Sequence, residues 1–125
     1  MMATLTASVD LPLVPASIPV ARRLLGELLQ AWGLERHVDD ASLLLSELVT
    51  NVVRHVDADE CLVVWVEASE PRLRISVTDV SAVRPVVRVP PPEKPDGRGL
   101  LLVSALARIW GVEDLPAGKR VWFEL

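Results

Sequence analysis

The sequence predicts an α+β fold, a two-layer sandwich in which three helices cover one face of a mixed, mainly antiparallel sheet. Segments rich in β-branched residues come in runs and do not alternate with helices, which disfavours a doubly wound parallel sheet. The pair "CLVVWVEA" (61–68) and "RLRISVTD" (72–79) is joined by a connection too short for a parallel crossover. Two long segments, 17–31 and 36–55, instead carry apolar residues at helical spacing.

Each element has a local cause. Residues 4–13 form a first strand, ended by Pro12 and Pro15. Ser17 caps a helix to Ala31, with Pro19 tolerated in its first turn and Gly33 ending it. A second helix runs from Arg36 to His55, with Val38, Ala41, Leu45, Leu48, Val49 and Val52 on one apolar stripe. Then come the two strands, the second placing Leu73, Ile75 and Val77 on one face and Arg72, Arg74, Ser76 and Thr78 on the other. Residues 80–96 hold five of the ten prolines and no periodicity, and so form a long loop. "GRGLLLVSALARIWG" (97–111) predicts a glycine-led helix ending near Trp110. The tail predicts a hairpin turning at Pro116-Ala117-Gly118, with Val121, Phe123 and Leu125 on a common face. Trp32, Trp65, Trp110 and Trp122 are expected in or beside the core.

Composition narrows the function classes. The chain has 125 residues, half of them hydrophobic, enough for one domain (1–125) with a core that needs no metal or disulfide. A net charge of −4 without a basic run argues against nucleic acid or an anionic membrane as partner. Cys61 is the sole cysteine, which excludes an internal disulfide and a cysteine-based metal site. "MMATLTASVDLP" has neither the basic start nor the apolar run of a signal peptide, so a cytoplasmic location is expected.

Four features do not belong to the scaffold. Glu47, Asn51 and His55 lie one turn apart along the border of the second helix's apolar stripe. Alone, that row fits a solvated edge as well as a ligand-holding face. Asp79 ends the inward series Leu73-Ile75-Val77, where a carboxylate is costly unless hydrogen-bonded; the other reading is a turn-capping residue already in the loop. Gly97-Arg98-Gly99 opens a helix, where unpaired N–H groups attract anions, yet the pattern lacks the lysine of a Walker A loop. Gly118-Lys119 sits in a hairpin and is, alone, an ordinary turn.

In order, "SELVTNVVRH", "VTDVS", "GRGLLLV" and "GKRVW" resemble the four motifs of the GHKL ATPase superfamily. The likeness is to small bacterial anti-sigma-factor serine/threonine kinases, which use the Bergerat ATP-binding fold. The resemblance implies Glu47 as catalytic general base and Asn51 as the Mg2+ ligand. Asp79 would accept a hydrogen bond from the adenine amino group, and Gly97, Arg98, Gly99, Leu100 and Lys119 would complete the nucleotide site. The loop 80–96, with Arg84, Arg88 and Lys94, would close over the phosphates. His55 belongs to the N-box, so histidine autophosphorylation is not expected.

Two departures stand out. Ser81 and Val83 replace the glycines that often follow the adenine-binding aspartate, and Arg120 replaces a threonine, removing a hydroxyl from the phosphate or adenine side. The implied function is a Mg-ATP-dependent serine/threonine protein kinase that phosphorylates a small antagonist protein and holds or releases a sigma factor. The alternative is a catalytically weak, ATP-responsive binding protein. Implied partners are ATP, a sigma factor or its antagonist, and a second copy in a homodimer.

Overall fold

A computed structural model describes residues 3–55, 61–80, 97–116 and 118–125, without the side chains of His55, Val80 and residues 97–101. The elements follow in the order β1 (Leu5–Pro12), α1 (Ser17–Ala31), α2 (Val38–His55), β2 (Cys61–Ser69), β3 (Arg72–Val80), α3 (Gly97–Leu106), β4 (Ile109–Leu115) and β5 (Gly118–Glu124). The expected loop, with Ser81, Val83, Arg84, Arg88 and Lys94, lies outside the described residues beyond Val80.

The five strands form one sheet in the order β1-β2-β3-β5-β4, and every neighbouring pair is antiparallel. The predicted hairpin has its register, Leu62 opposite Asp79 and Ala68 opposite Leu73. Strict alternation then sends Leu62, Val64, Val66, Leu73, Ile75, Val77, Val121 and Phe123 to the helix-covered face, where all are buried. The helices close this face with their own stripes: Ala21, Leu25 and Leu29 from α1, and Ala41, Leu45, Leu48, Val49 and Val52 from α2. Leu44 of α2 is also fully buried, which widens the stripe read from the sequence.

Three boundaries differ from expectation. Ser17 is not the cap: its amide and that of Ile18 already donate to Val14 O (2.9 Å) and Pro15 O (3.1 Å). Its hydroxyl is therefore spent on Pro12 O at 2.6 Å, tying the helix start to the end of β1. The α2 segment begins with a single 3-10 turn at Glu35–His37 and becomes α-helical only at Val38. The largest shift is in α3, which stops at Leu106, so that Ile109 and Trp110 start β4 opposite Glu124 and Phe123. Apolar residues continue past Leu106 at helical spacing, but the partner strand β5 captures these β-formers by pairing. The end of α1 is as expected: Gly33, at φ +74°, carries a Schellman pair from Leu34 N to Leu29 O (2.8 Å) and Gly33 N to Gln30 O (3.1 Å).

The opposite sheet face has no helix layer among the described residues. There Ser76 is buried because Trp65 and Trp122 flank it on the neighbouring strands. The Arg74 guanidinium lies 4.1 Å from the centre of the Trp122 ring. Glu124 is buried under Arg74 (Nε to Oε2, 2.8 Å) and Arg108 (3.2 Å). Trp32 packs against the core, whereas Trp65 and Trp110 stay exposed, so only part of the expected tryptophan burial occurs.

Candidate functional site

The last inward position of β3 is where the scaffold changes character. Asp79 occupies it and is 2% exposed, with the fully buried Leu62 opposite it on β2 and Lys119 opposite it on β5. A buried carboxylate needs donors, and the Lys119 amide supplies one to Oδ1 at 3.2 Å. Asp79 is therefore a sheet residue facing the helices, not a turn cap.

Gly118 makes the arrangement possible. A Cβ there would overlap the Asp79 carbonyl oxygen, lie 2.5 Å from Oδ1 and 3.1 Å from the carbonyl carbon. Only a residue without a side chain lets β5 close on the carboxylate at this distance. The sequence reads Gly118 as a hairpin glycine; in the fold it pairs with Val80, the residue next to Asp79.

The helix α2 packs on α1, α3 and β3 and carries a polar border beside its buried stripe. Glu47 and Asn51 are half-buried on that border, one turn or ~6 Å apart along the axis. The hydroxyls of Ser46 and Thr50 in the same helix are returned to Ser42 O (2.7 Å) and Ser46 O (2.6 Å). Glu47 and Asn51 by contrast have no side-chain hydrogen bond or ion pair among the described residues. Two half-buried polar groups with no internal partner fit a helix that presents them to a ligand.

Gly97, Arg98, Gly99 and Leu100 form the first turn of α3, whose opening amides lack intrahelical acceptors. The helix is anchored by Val103, fully buried, and by Leu102 against the core. Asp79, Gly118 and Lys119 are thus in direct contact, Glu47 and Asn51 share one helix row, and the glycine turn opens the helix that α2 packs against.

Residues 11–125 match the family model of the histidine kinase-like ATPase domain. The chain belongs to the histidine kinase-like ATPase family. Comparison with curated proteins finds no match. Membership in this ATPase family makes the chain an ATP-binding protein of GHKL type, in agreement with the motif order.

Within the family framework, position 120 is corrected. Arg120 was expected on the phosphate or adenine side, but β5 alternation turns it to the outer face. Its Nε donates to Thr78 Oγ1 at 3.3 Å and its Nη1 pairs with Glu113 at 3.6 Å. The missing threonine therefore takes no hydroxyl from the Asp79 side. Among the described residues no group of three His, Cys, Asp or Glu side chains converges as a metal site. No helix there is long and apolar enough to cross a membrane.

Proposed function

We propose that the chain is a cytoplasmic, single-domain, Mg-ATP-dependent serine/threonine protein kinase of the anti-sigma-factor type. The observation that carries this reading is the pairing of a buried carboxylate closed in by Gly118 with an internally unpartnered Glu47–Asn51 row on α2.

Asp79 would read the base. Its carboxylate accepts the adenine amino N–H, whereas guanine presents an acceptor oxygen and leaves two acceptors facing, at about 1–3 kcal/mol. The first-turn amides of α3 would hold phosphate oxygens, aided by the helix dipole, and Lys119 would add a cation. The Asn51 side-chain carbonyl is a neutral oxygen suited to Mg2+, with phosphate oxygens and water completing the shell. An ion held there would supply positive charge against the phosphates.

Glu47, one turn from Asn51, would accept the proton of an incoming serine or threonine hydroxyl. The hydroxyl oxygen bonds to the γ-phosphorus, the bond to the β–γ bridging oxygen breaks, and ADP leaves. Phosphoryl transfer is chiefly positioning and charge neutralisation, and the base adds about 10²–10⁴-fold. The phosphoacceptor is read as a small antagonist protein, and the held partner as a sigma factor.

Labelled ATP incubated with the cognate antagonist tests this. Glu47→Ala is expected to keep ATP binding and lose transfer by about 10²-fold or more, while Asn51→Ala loses Mg-ATP affinity. Transfer by Glu47→Ala at the wild-type rate would remove the base assignment. A stable complex with no label transfer by the wild type would favour the ATP-responsive binding protein.

A further inference from the structure

Helix-facing positions of neighbouring strands line up in rows across the sheet, and the row at Asp79 differs from the one beside it. It runs Leu62 on β2, Asp79 on β3, Lys119 on β5 and Asp114 on β4. The next helix-facing row along the same strands is Val64, Val77, Val121 and Val112, wholly apolar. A carboxylate and an ammonium thus stand side by side where the scaffold otherwise places valines.

Lys119 is half-buried, on the face that also carries the buried Val121 and Phe123. Its backbone amide is used on Asp79 Oδ1. Its ammonium has no hydrogen bond or ion pair among the described residues. Arg120, the next residue, shows the contrast: turned to the outer face, it is held by Thr78 and Glu113. A half-buried cation without an internal partner has its donors available to a ligand.

We propose that Lys119 reads the base beside Asp79, its ammonium donating a hydrogen bond to the adenine ring nitrogen next to the amino group. This rests on the reading of Asp79 as acceptor of that amino group, and gives the cation a task other than meeting phosphate. The chemistry is complementary, because the amino donor of adenine is flanked by ring acceptors, N1 on one side and N7 on the other. Residues opposite each other on paired strands have Cβ atoms about 5 Å apart. An aspartate and a lysine so placed can engage adjacent atoms of one ring edge, the flexible four-carbon stem taking up the offset. The phosphates begin only beyond the ribose, farther from a base held on Asp79.

Titration calorimetry of the full chain with the Mg2+ complexes of ATP, 1-deaza-ATP and 7-deaza-ATP tests it. Lys119→Met keeps the backbone amide that donates to Asp79 and is expected to weaken ATP by about tenfold. One of the two deaza analogues should bind the wild type about tenfold more weakly than ATP, whereas Lys119→Met should bind that analogue and ATP alike. Lys119→Gln, uncharged and of similar length, gives the same comparison if the methionine disturbs folding. Weaker ATP binding by Lys119→Met while both analogues bind the wild type like ATP would assign the cation to phosphate and overturn the proposal. Wild-type ATP affinity in Lys119→Met, or an analogue penalty that survives the substitution, would overturn it as well. Asp79→Asn separates the two levels. If it leaves ATP affinity unchanged, the reading of Asp79 fails and Lys119 with it; if it weakens ATP while Lys119→Met does not, only the lysine assignment falls.

Discussion

Replacing Gly118 by alanine puts a methyl where the backbone and carboxylate of Asp79 already stand. The new Cβ would overlap the Asp79 carbonyl oxygen and approach Oδ1 to 2.5 Å. Ordinary contact lies at about 3.5 Å, so β3 and β5 must part by about 1 Å at this end. The Lys119 N–H to Asp79 Oδ1 bond, already 3.2 Å, then passes out of hydrogen-bonding range. Losing a bond to a buried charge costs about 1.5–3 kcal/mol, and forced overpacking about 1–3 kcal/mol. A central figure is about 3 kcal/mol, or about 10 °C in Tm for a domain of this size. The displaced carboxylate should also lose the proposed adenine contact, worth about 2 kcal/mol or roughly 30-fold in Kd for ATP. Thermal unfolding and titration calorimetry read the two effects. Gly26→Ala is the control, because its Cβ would meet nothing nearer than Val38 Cγ1 at 4.0 Å, and a helix-interior alanine is worth about 0.5–1 kcal/mol of added stability. If Gly118→Ala keeps the wild-type Tm and ATP affinity, the close approach of β5 to Asp79 does not hold the site.

Two further outcomes follow from the outer face. Burial pulls the Glu124 carboxyl up, but the Arg74 hydrogen bond and charge, the Arg108 hydrogen bond and the Arg72 charge outweigh it and hold it below the usual glutamate value. A carboxylate with a depressed folded pKa stabilises the fold above its unfolded pKa, about 4.3, and loses that contribution as pH falls through the lower, folded one. Glu124→Gln should therefore be less stable than wild type at neutral pH, with the gap closing under acid in urea unfolding; a gap constant to the lowest pH refutes the pairing. Arg120→Thr should leave the ATP Kd within about threefold, since position 120 faces away from Asp79, and cost less than about 1 kcal/mol for its half-exposed pair with Glu113. A tenfold change in ATP affinity would place residue 120 on the nucleotide side after all.

Local pattern was enough to recover most of this molecule. Alternation in "RLRISVTD" put Asp79 on the inward face, because a strand's side-chain period is two and an edge of one residue either way reverses it. The 3.6-residue spacing of α2 placed Glu47 and Asn51 on one border, and Gly33 marked the end of α1 through a positive φ that few other residues adopt. The family, and with it ATP binding, was legible from the order of four short motifs, three of which are ordinary on their own.

What tertiary structure alone decided was everything set by a partner distant in sequence. The end of α3 depended on β5, since "LARIW" carries apolar residues that suit a helix until a neighbouring strand offers pairing. Gly118 looked like any hairpin glycine until register set it against Asp79, 39 positions back in the chain. Arg120 changed sides for the same reason: its face follows from which residue of β5 is opposite Asp79. Spacing within an element is a local property that the sequence carries by itself. Register between strands far apart in the chain comes from the simultaneous packing of all of them.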